Sequence, residues 1–434
     1  MKIDLSSKCC MNPGCADCGK AGLGNIAEPP FRPVLRMKSG ANLSINERYI
    51  AAQMAGDYLV RNLGNDGYFV YEYTPCTDSL STEYNWLRHA GSIIALCQLY
   101  RDGHDSKYLQ AAKSAIQPLL AQIQSHEFSG VVHSVLAPES PDNGRIVVKT
   151  GGCALAAIAL LMVDEMDGSR SYQEPALDLC RYLQFTQKKS GALRSKYIID
   201  GNRGRYSSWQ STCYQGEALL AMSMAMRVKM DPELRRSGLR LLAFLVKKMR
   251  LQNEQTNPPH EYDHWANIGI AMIWEFADDR ELAGISISRQ LIIDTLLAYT
   301  KREVNAQIVI PSDPHFGCFG AANGRTQAHA TRIEGLDSAL QLLTRVGEDA
   351  GKLRGMTNQV ELARVFLVGA QYKSADTTPG RKLDITGGFR AEFYMHADHG
   401  SGAFCFGKDR IRIDSCQHAI SAMLGWKIFG DTLQ

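Results

Sequence analysis

No stretch of about 18 or more apolar residues occurs in the 434-residue chain, so no membrane-spanning helix is expected. An excess of charge of one sign is also missing. The 48 Lys and Arg residues are set against 45 Asp and Glu, a net of +3, and no segment gathers enough base to track a phosphate backbone. Nucleic acid is therefore not an expected partner. Met1 to Ala27 lacks an apolar run between a basic start and a small-residue cleavage site, so a secretory leader is not expected and a cytoplasmic location is. Cysteine is not scarce, but a disulfide framework is. Of the 12 cysteines, Cys97, Cys153 and Cys180 sit singly in apolar runs and read as reduced, buried small hydrophobes. With 45% hydrophobic and 21% charged residues, a large core is within reach and whole-chain disorder is not expected.

What is present is a long alternation. Residues 1–40 are rich in Cys, Gly and Pro, lack periodicity and read as an extension. Residues 41–434 read as one domain. Within that domain, runs over 47–64, 106–123, 172–187, 231–249, 287–302 and 358–373 carry one apolar stripe and a charged back, the pattern of helices lying on the outside of something. Between them, runs over 83–100, 150–166, 212–228, 263–277, 330–346 and 415–429 are apolar nearly all round and full of small residues. A helix of that kind is buried. Successive inner runs start roughly 50 to 85 residues apart, which marks an internal repeat of low identity.

An open stack of such pairs needs polar capping repeats at its ends, and here the last inner run is as apolar as the middle ones. Closure into a ring answers this. The expected fold is all-α, an (α/α)6 toroid of twelve helices in six hairpins. Gly-bounded alternating pieces at 67–74, 129–137, 144–150 and 387–414 predict short β-hairpins at one rim.

Polar residues collect at the openings of the inner runs. Tyr84, Arg88 and His89 open the first; Lys149 precedes the second; Tyr214, Gln215 and Glu217 open the third. Asp263 and His264, with Trp265, open the fourth; Arg332 and Glu334 the fifth; Asp414, Gln417 and His418 the sixth. In a ring of antiparallel pairs these openings face one concavity, into which helix N-termini aim N–H groups and partial positive charge. His264 and His418 are candidate proton carriers near neutral pH. Glu217, Asp263 and Glu334 supply carboxylates for acid–base work, as paired carboxylates do in glycoside hydrolysis. Arg88, Arg332 and Lys149 suit an anionic group. Tyr84, Trp86, Trp209 and Trp265 offer flat surfaces for a sugar ring. The plain structural roles are an N-cap for Asp263 and for Asp414, and an Arg332–Glu334 pair.

Cys9, Cys10, Cys15 and Cys18 form C-C-x4-C-x2-C, and their thiolates are candidates for a zinc site, although the adjacent pair fits a tetrahedral site poorly. Cys76, Cys213, Cys318 and Cys416 fall near the openings, where two of them with His264 or His418 would make a Cys-Cys-His zinc set.

The twelve-run alternation over residues 44–430, with polar clusters at one rim, resembles the six-hairpin glycosidase and N-acylglucosamine 2-epimerase toroids. That resemblance implies proton transfer by histidines on the eighth and twelfth helices, where His264 and His418 stand, or hydrolysis by paired carboxylates. The expectation is an acid–base enzyme acting on a sugar or oligosaccharide, epimerase, isomerase or hydrolase, requiring no cofactor. Two alternatives stay open. The segment TCYQG (212–216) resembles a ligand segment of the zinc-dependent lanthionine cyclases, although a Cys-His-Gly partner is missing. A ring that binds a glycan or peptide without turning it over is the other.

Overall fold

The computed structural model describes residues 42–427, apart from 139–144, 201–202, 256–261, 314, 320–324, 378 and 393–409. The 1–40 extension, with Cys9, Cys10, Cys15 and Cys18, lies outside the described residues, as does most of the rim segment expected at 387–414.

Six outer helices alternate with six inner ones. The outer set is α1 (Ile45–Arg61), α3 (Ser106–Ala121), α5 (Gln173–Phe185), α7 (Pro232–Glu254), α10 (Arg289–Asn305) and α12 (Ala350–Val368). The inner set is α2 (Trp86–Gly103), α4 (Thr150–Asp167), α6 (Tyr214–Val228), α8 (His264–Ile273), α11 (Thr326–Arg345) and α13 (Ile413–Leu424). Each inner helix packs on the next, and α13 packs on α2, so the ring closes. The inner helices are sheathed on all sides: in α4 every residue from Thr150 to Asp164 is buried. The outer helices bury one stripe, as in α3, where Tyr108, Ala111, Ala112, Ala115, Ile116 and Leu119 face inward.

Two expectations are corrected. The fourth inner run was expected to be helical to 277, but α8 ends at Ile273, and a short helix α9 (Asp279–Gly284) follows on an Asp278 cap. The cause is local: the Asp278 side chain accepts from the Glu281 N–H at 2.8 Å, which starts a new helix instead of extending the old one. The fifth inner helix begins at Thr326, not 330, because the Thr326 N–H donates to the Ala391 carbonyl at 3.0 Å and fixes the start there. Arg332 and Glu334 consequently lie inside α11 and not in its first turn.

Short strands fill the connections from outer to inner helices. The sheets run β2 (Ser79–Leu80), β1 (Glu72–Thr74), β8 (Ile411–Arg412); β3 (Ile123–Phe128) with β4 (Val131–Leu136); and β5 (Ile146–Lys149), β6 (Lys196–Asp200), β7 (Arg203–Tyr206). All pairs are antiparallel. These connections share one end of the ring, the end at which the inner helices begin. The return connections are short: His104 and Asp105 alone separate α2 from α3.

A second repeat is invisible at the level of sequence identity. At the ends of α5, α10 and α12 stand Gln187, Gln307 and Gln371. Each side-chain amide donates to a glycine carbonyl in the turn that follows (Gly191, Gly317, Gly387) and to a carbonyl of the next outer helix, Ser237, Gln359 or Ala51. The Gln371 clasp reaches from α12 to α1 and closes the outer ring. These glycines have positive φ, and a Cβ on Gly387 would stand 2.0 Å from the Met54 carbonyl oxygen. Only glycine supplies both the left-handed backbone and the clearance.

Candidate active site

The polar openings converge as the ring geometry requires, and they divide into two halves. Helices α8, α11 and α13 are neighbours, and they bring His264, Glu334 and His418 together. One ligand-type atom from each lies within 4.8 Å of the others. All three side chains are buried. The His418 Nδ1 is 2.8 Å from Glu334 Oε1, and the Trp426 indole N–H reaches Glu334 Oε2 at 3.4 Å. The two imidazoles meet edge to face with centroids 5.3 Å apart. Trp265 lies against the His264 ring, 4.8 Å between centroids, and edge-on to Trp426 at 5.6 Å.

These contacts set the protonation chemistry. A carboxylate on Nδ1 fixes the tautomer of His418 and leaves its Nε2 as the acceptor. His264 Nε2 is buried with no hydrogen-bond partner. Burial, then His418 and Arg332, push the His264 pKa well down, so it enters the site as a neutral base. Burial raises the Glu334 pKa, and His418 beside it pulls it back.

The expected Arg332–Glu334 pair does not form. Arg332 instead faces Glu303 of α10 at 3.3 Å, lies over the Tyr262 ring at 5.3 Å and donates to the Ala328 carbonyl at 2.8 Å. Asp263 is an N-cap, its Oδ1 accepting from the Ala266 N–H at 3.1 Å, but its Oδ2 is buried without a partner. Burial pushes its pKa up to about 7. Glu217 on α6 is buried too, with Oε2 unpartnered. Burial, then the nearby Asp263, raise its pKa well above the carboxylate range. Such an arrangement of buried, unsatisfied carboxylates is costly unless a ligand or water completes it.

Asp414 is not an N-cap with a side-chain bond. It is held by two guanidiniums, Arg412 Nε at 2.6 Å and Arg88 Nε at 2.8 Å. Burial opposes ionisation, yet Arg412 and Arg88 outweigh it and hold the carboxyl below its usual range. Arg88 also donates to the Tyr71 hydroxyl. Gln417 beside it has Oε1 buried and unpartnered.

Three other residues are occupied structurally. His89 is fully buried, its ring nitrogens 2.6 Å from the Tyr84 hydroxyl and 2.7 Å from the Ala115 carbonyl, leaving none to offer a ligand. Tyr84 is committed to that contact and to the Phe69 N–H at 3.2 Å. Gln215 clasps Leu193 through both its N–H and its carbonyl, at 2.8 and 2.9 Å. Sequence patterns alone do not separate such residues from ligand-facing ones, because both kinds open inner helices.

Lys149, Tyr214 and Arg88 open α4, α6 and α2, the other half of the cup. Among the described residues no Cys-Cys-His set assembles, since the one His/Cys/Asp/Glu group with metal-ligand proximity is His264, Glu334 and His418. Cys416 and Cys318 are buried, burial pushes each thiol up to about 12, and Cys416 Sγ accepts from the Phe389 N–H at 3.4 Å. The His–Glu–His trio has donors of the right kind for a metal. However, His418 Nδ1 and Glu334 Oε1 are hydrogen-bonded to each other at 2.8 Å, closer than two ligands of a tetrahedral zinc stand, at about 3.3 Å. Three contacts of the site escaped the sequence: Trp426 after the last helix, Glu303 on an outer helix, and Arg412. Only Arg412, two residues before Asp414, carried a local signal.

No protein-family model matches the chain, and no curated protein matches its sequence. Solved structures do match. A sugar epimerase from a ruminal bacterium shares 12% identity, with 88% of this chain and 98% of that one covered at a TM-score of 0.57. D-mannose isomerase shares 14%, with 87% and 95% covered at 0.56. A GH76 α-mannanase from Bacteroides thetaiotaomicron shares 10%, with 87% and 94% covered at 0.52. These neighbours are six-hairpin toroids, and the likeness is one of fold.

Proposed function

We propose that this six-hairpin toroid is an acid–base enzyme that moves a proton between carbons of a reducing sugar. The observation that carries the reading is the buried imidazole pair, His264 with an unpartnered Nε2 and His418 oriented by Glu334. An imidazole pair of this kind can take a proton from the carbon next to a carbonyl and return it. Solved neighbours named as a D-mannose isomerase and a sugar epimerase support the substrate class.

We take isomerisation as the version to test: the two rings meet edge to face with centroids 5.3 Å apart, so one imidazole can serve the carbons of an enediol while the other serves its oxygens. In this reading His418 removes the C2 proton with Glu334 stabilising the imidazolium, and His264 attends the carbonyl and hydroxyl oxygens. In the same reading the Asp263 carboxyl, its pKa pushed by burial up to about 7, exchanges a proton with a sugar hydroxyl.

Glycoside hydrolysis is the second reading, supported by the unpartnered carboxyl oxygens of Glu217 and Asp263. Incubation of aldoses, ketoses and aryl glycosides in D2O separates the two. Isomerisation puts deuterium on C1 or C2 of the product, and hydrolysis puts none on carbon. Glycoside cleavage without carbon-bound deuterium would replace the first reading by the second.

A further inference from the structure

The half of the cup built from α2, α4 and α6 carries no imidazole chemistry, and its features are of a different kind. Lys149 is the N-cap of α4 and the last residue of β5, directly paired with Lys196 of β6 across the antiparallel ladder. Lys196 Nζ lies 4.5 Å above the Trp209 ring. Trp209 meets Tyr214 of α6 edge to face at 5.7 Å between centroids. Tyr214 in turn packs over Gly151 of α4, where a Cβ would stand 2.2 Å from the tyrosine ring. These contacts run from Lys149 through Lys196, Trp209 and Tyr214 back to α4, and they enclose one patch of cup wall. Trp209 keeps 46% of its surface exposed there although it is large and apolar.

The Glu217 carboxyl also lies against Gly151, but burial and then Asp263 push it toward its protonated form, so it does not balance the charge on this wall. Three arginines of the cup have counter-ions: Arg88 and Arg412 hold Asp414, and Arg332 faces Glu303. Lys149 has none among the described residues. It is half-buried, and its charged neighbours are the cations Lys196 and Arg88, which with burial lower its pKa. It also stands at a helix N-terminus with no side-chain cap, where the dipole disfavours a cation. Burial, like charge and dipole all oppose an ammonium at this position, so a ligand's negative charge is the missing partner.

We infer that the sugar substrate is anionic, a uronate or a sugar phosphate, with its acid group on Lys149 and Lys196 and its ring on Trp209. This rests on the acid–base reading for the word substrate, but binding at the wall does not depend on turnover. The reactive carbon would then face His264 and His418 across the cup while the charged end is held by α4 and β6.

Calorimetry on the full chain at low ionic strength tests it, with glucose, glucuronate, glucose 6-phosphate and inorganic phosphate as probes. One of the two charged sugars should bind about tenfold or more tightly than glucose, and which one identifies the acid group. Lys149→Met should bring that sugar to within about twofold of glucose. The same variant, unliganded, should melt no lower than the parent, because an uncompensated cation has been removed. Trp209→Ala should weaken the charged sugar and leave inorganic phosphate unaffected. Equal affinity for charged and neutral sugars, no binding by any sugar, or a charge preference that survives Lys149→Met would overturn the inference. So would inorganic phosphate binding as tightly as the sugar phosphate. The His418→Asn variant keeps the two readings apart: charge preference retained with turnover abolished supports both. Charge preference in a parent protein that puts no deuterium on any sugar carbon removes the acid–base reading alone.

Discussion

The two ends of the ring are made from the same twelve helices, yet they begin them differently. At the far end, where outer helices start, Ser44, Asp105, Asp231, Ser288 and Asp349 each accept a hydrogen bond from the first turn of α1, α3, α7, α10 and α12. At the cup end α2 and α8 have such caps, from Asn85 and Asp263, but α4, α6, α11 and α13 start on Lys149, Cys213, Arg325 and Arg412 with none. The far end caps five of its six outer helices, α5 starting on Tyr172 without a side-chain bond. The other leaves helix dipoles open, places basic residues against them, and buries unpartnered atoms of Glu217, Asp263, His264 and Gln417. A terminus optimised for stability alone would resemble the first; the second is what the proposed ligand site calls for.

Breaking the cup end should cost chemistry before it costs stability. His418→Asn is expected to lower kcat for sugar isomerisation by about 10²–10⁴-fold while the melting temperature shifts little, as read by product NMR beside thermal denaturation. Glu334→Gln should fall in the same direction, since it keeps the shape and removes the charge that orients His418. A loss of activity in either variant matched by unfolding would erase the distinction between the two ends.

The next largest effects belong to the scaffold. Gly387→Ala forces a Cβ onto the Met54 carbonyl from a left-handed backbone, and should cost about 2–4 kcal/mol in urea denaturation. Gly191→Ala, against the Arg240 carbonyl at 2.3 Å, should do the same. Acid sharpens the comparison further. Burial pushes His89 and His329 down to about 4 from 6.5, so the folded chain binds fewer protons than the unfolded one between those values. Stability held above pH 6.5 is therefore lost as the pH falls toward 4, by up to about 3 kcal/mol for each histidine. His329→Gln should flatten that slope in urea melts at pH 7 and pH 4.5.

The smallest effect is expected at the far end. Asp231→Ala removes the acceptor of the Glu233 and Leu234 N–H groups and should cost about 1 kcal/mol with kcat unchanged. A change in kcat would mean that the far end is coupled to the site.

Much of this was legible in the residues. The all-round apolarity of 150–166 against the single stripe of 106–123 placed α4 inside and α3 outside, because burial on every face and burial on one face leave different patterns. The same reasoning brought His264 and His418 to one rim. What it did not separate was His89 from His418: both open inner helices, and only the surroundings, a tyrosine and a carbonyl for one and a carboxylate for the other, give them different roles. Arg332 and Glu334, two apart in sequence, read as a pair, whereas their true partners come from α10 and α13.

The sequence by itself therefore determined the alternation, the closure and the end of the ring at which polar groups gather, since these follow from hydrophobic period and helix direction. Pairing was decided by tertiary structure alone. Whether an ion is neutralised, as Asp414 is by Arg88 and Arg412, or has no counter-ion among the described residues, as with Lys149, depends on side chains brought together from helices far apart in the chain. In a low-dielectric interior that difference separates a structural contact from a place for a ligand.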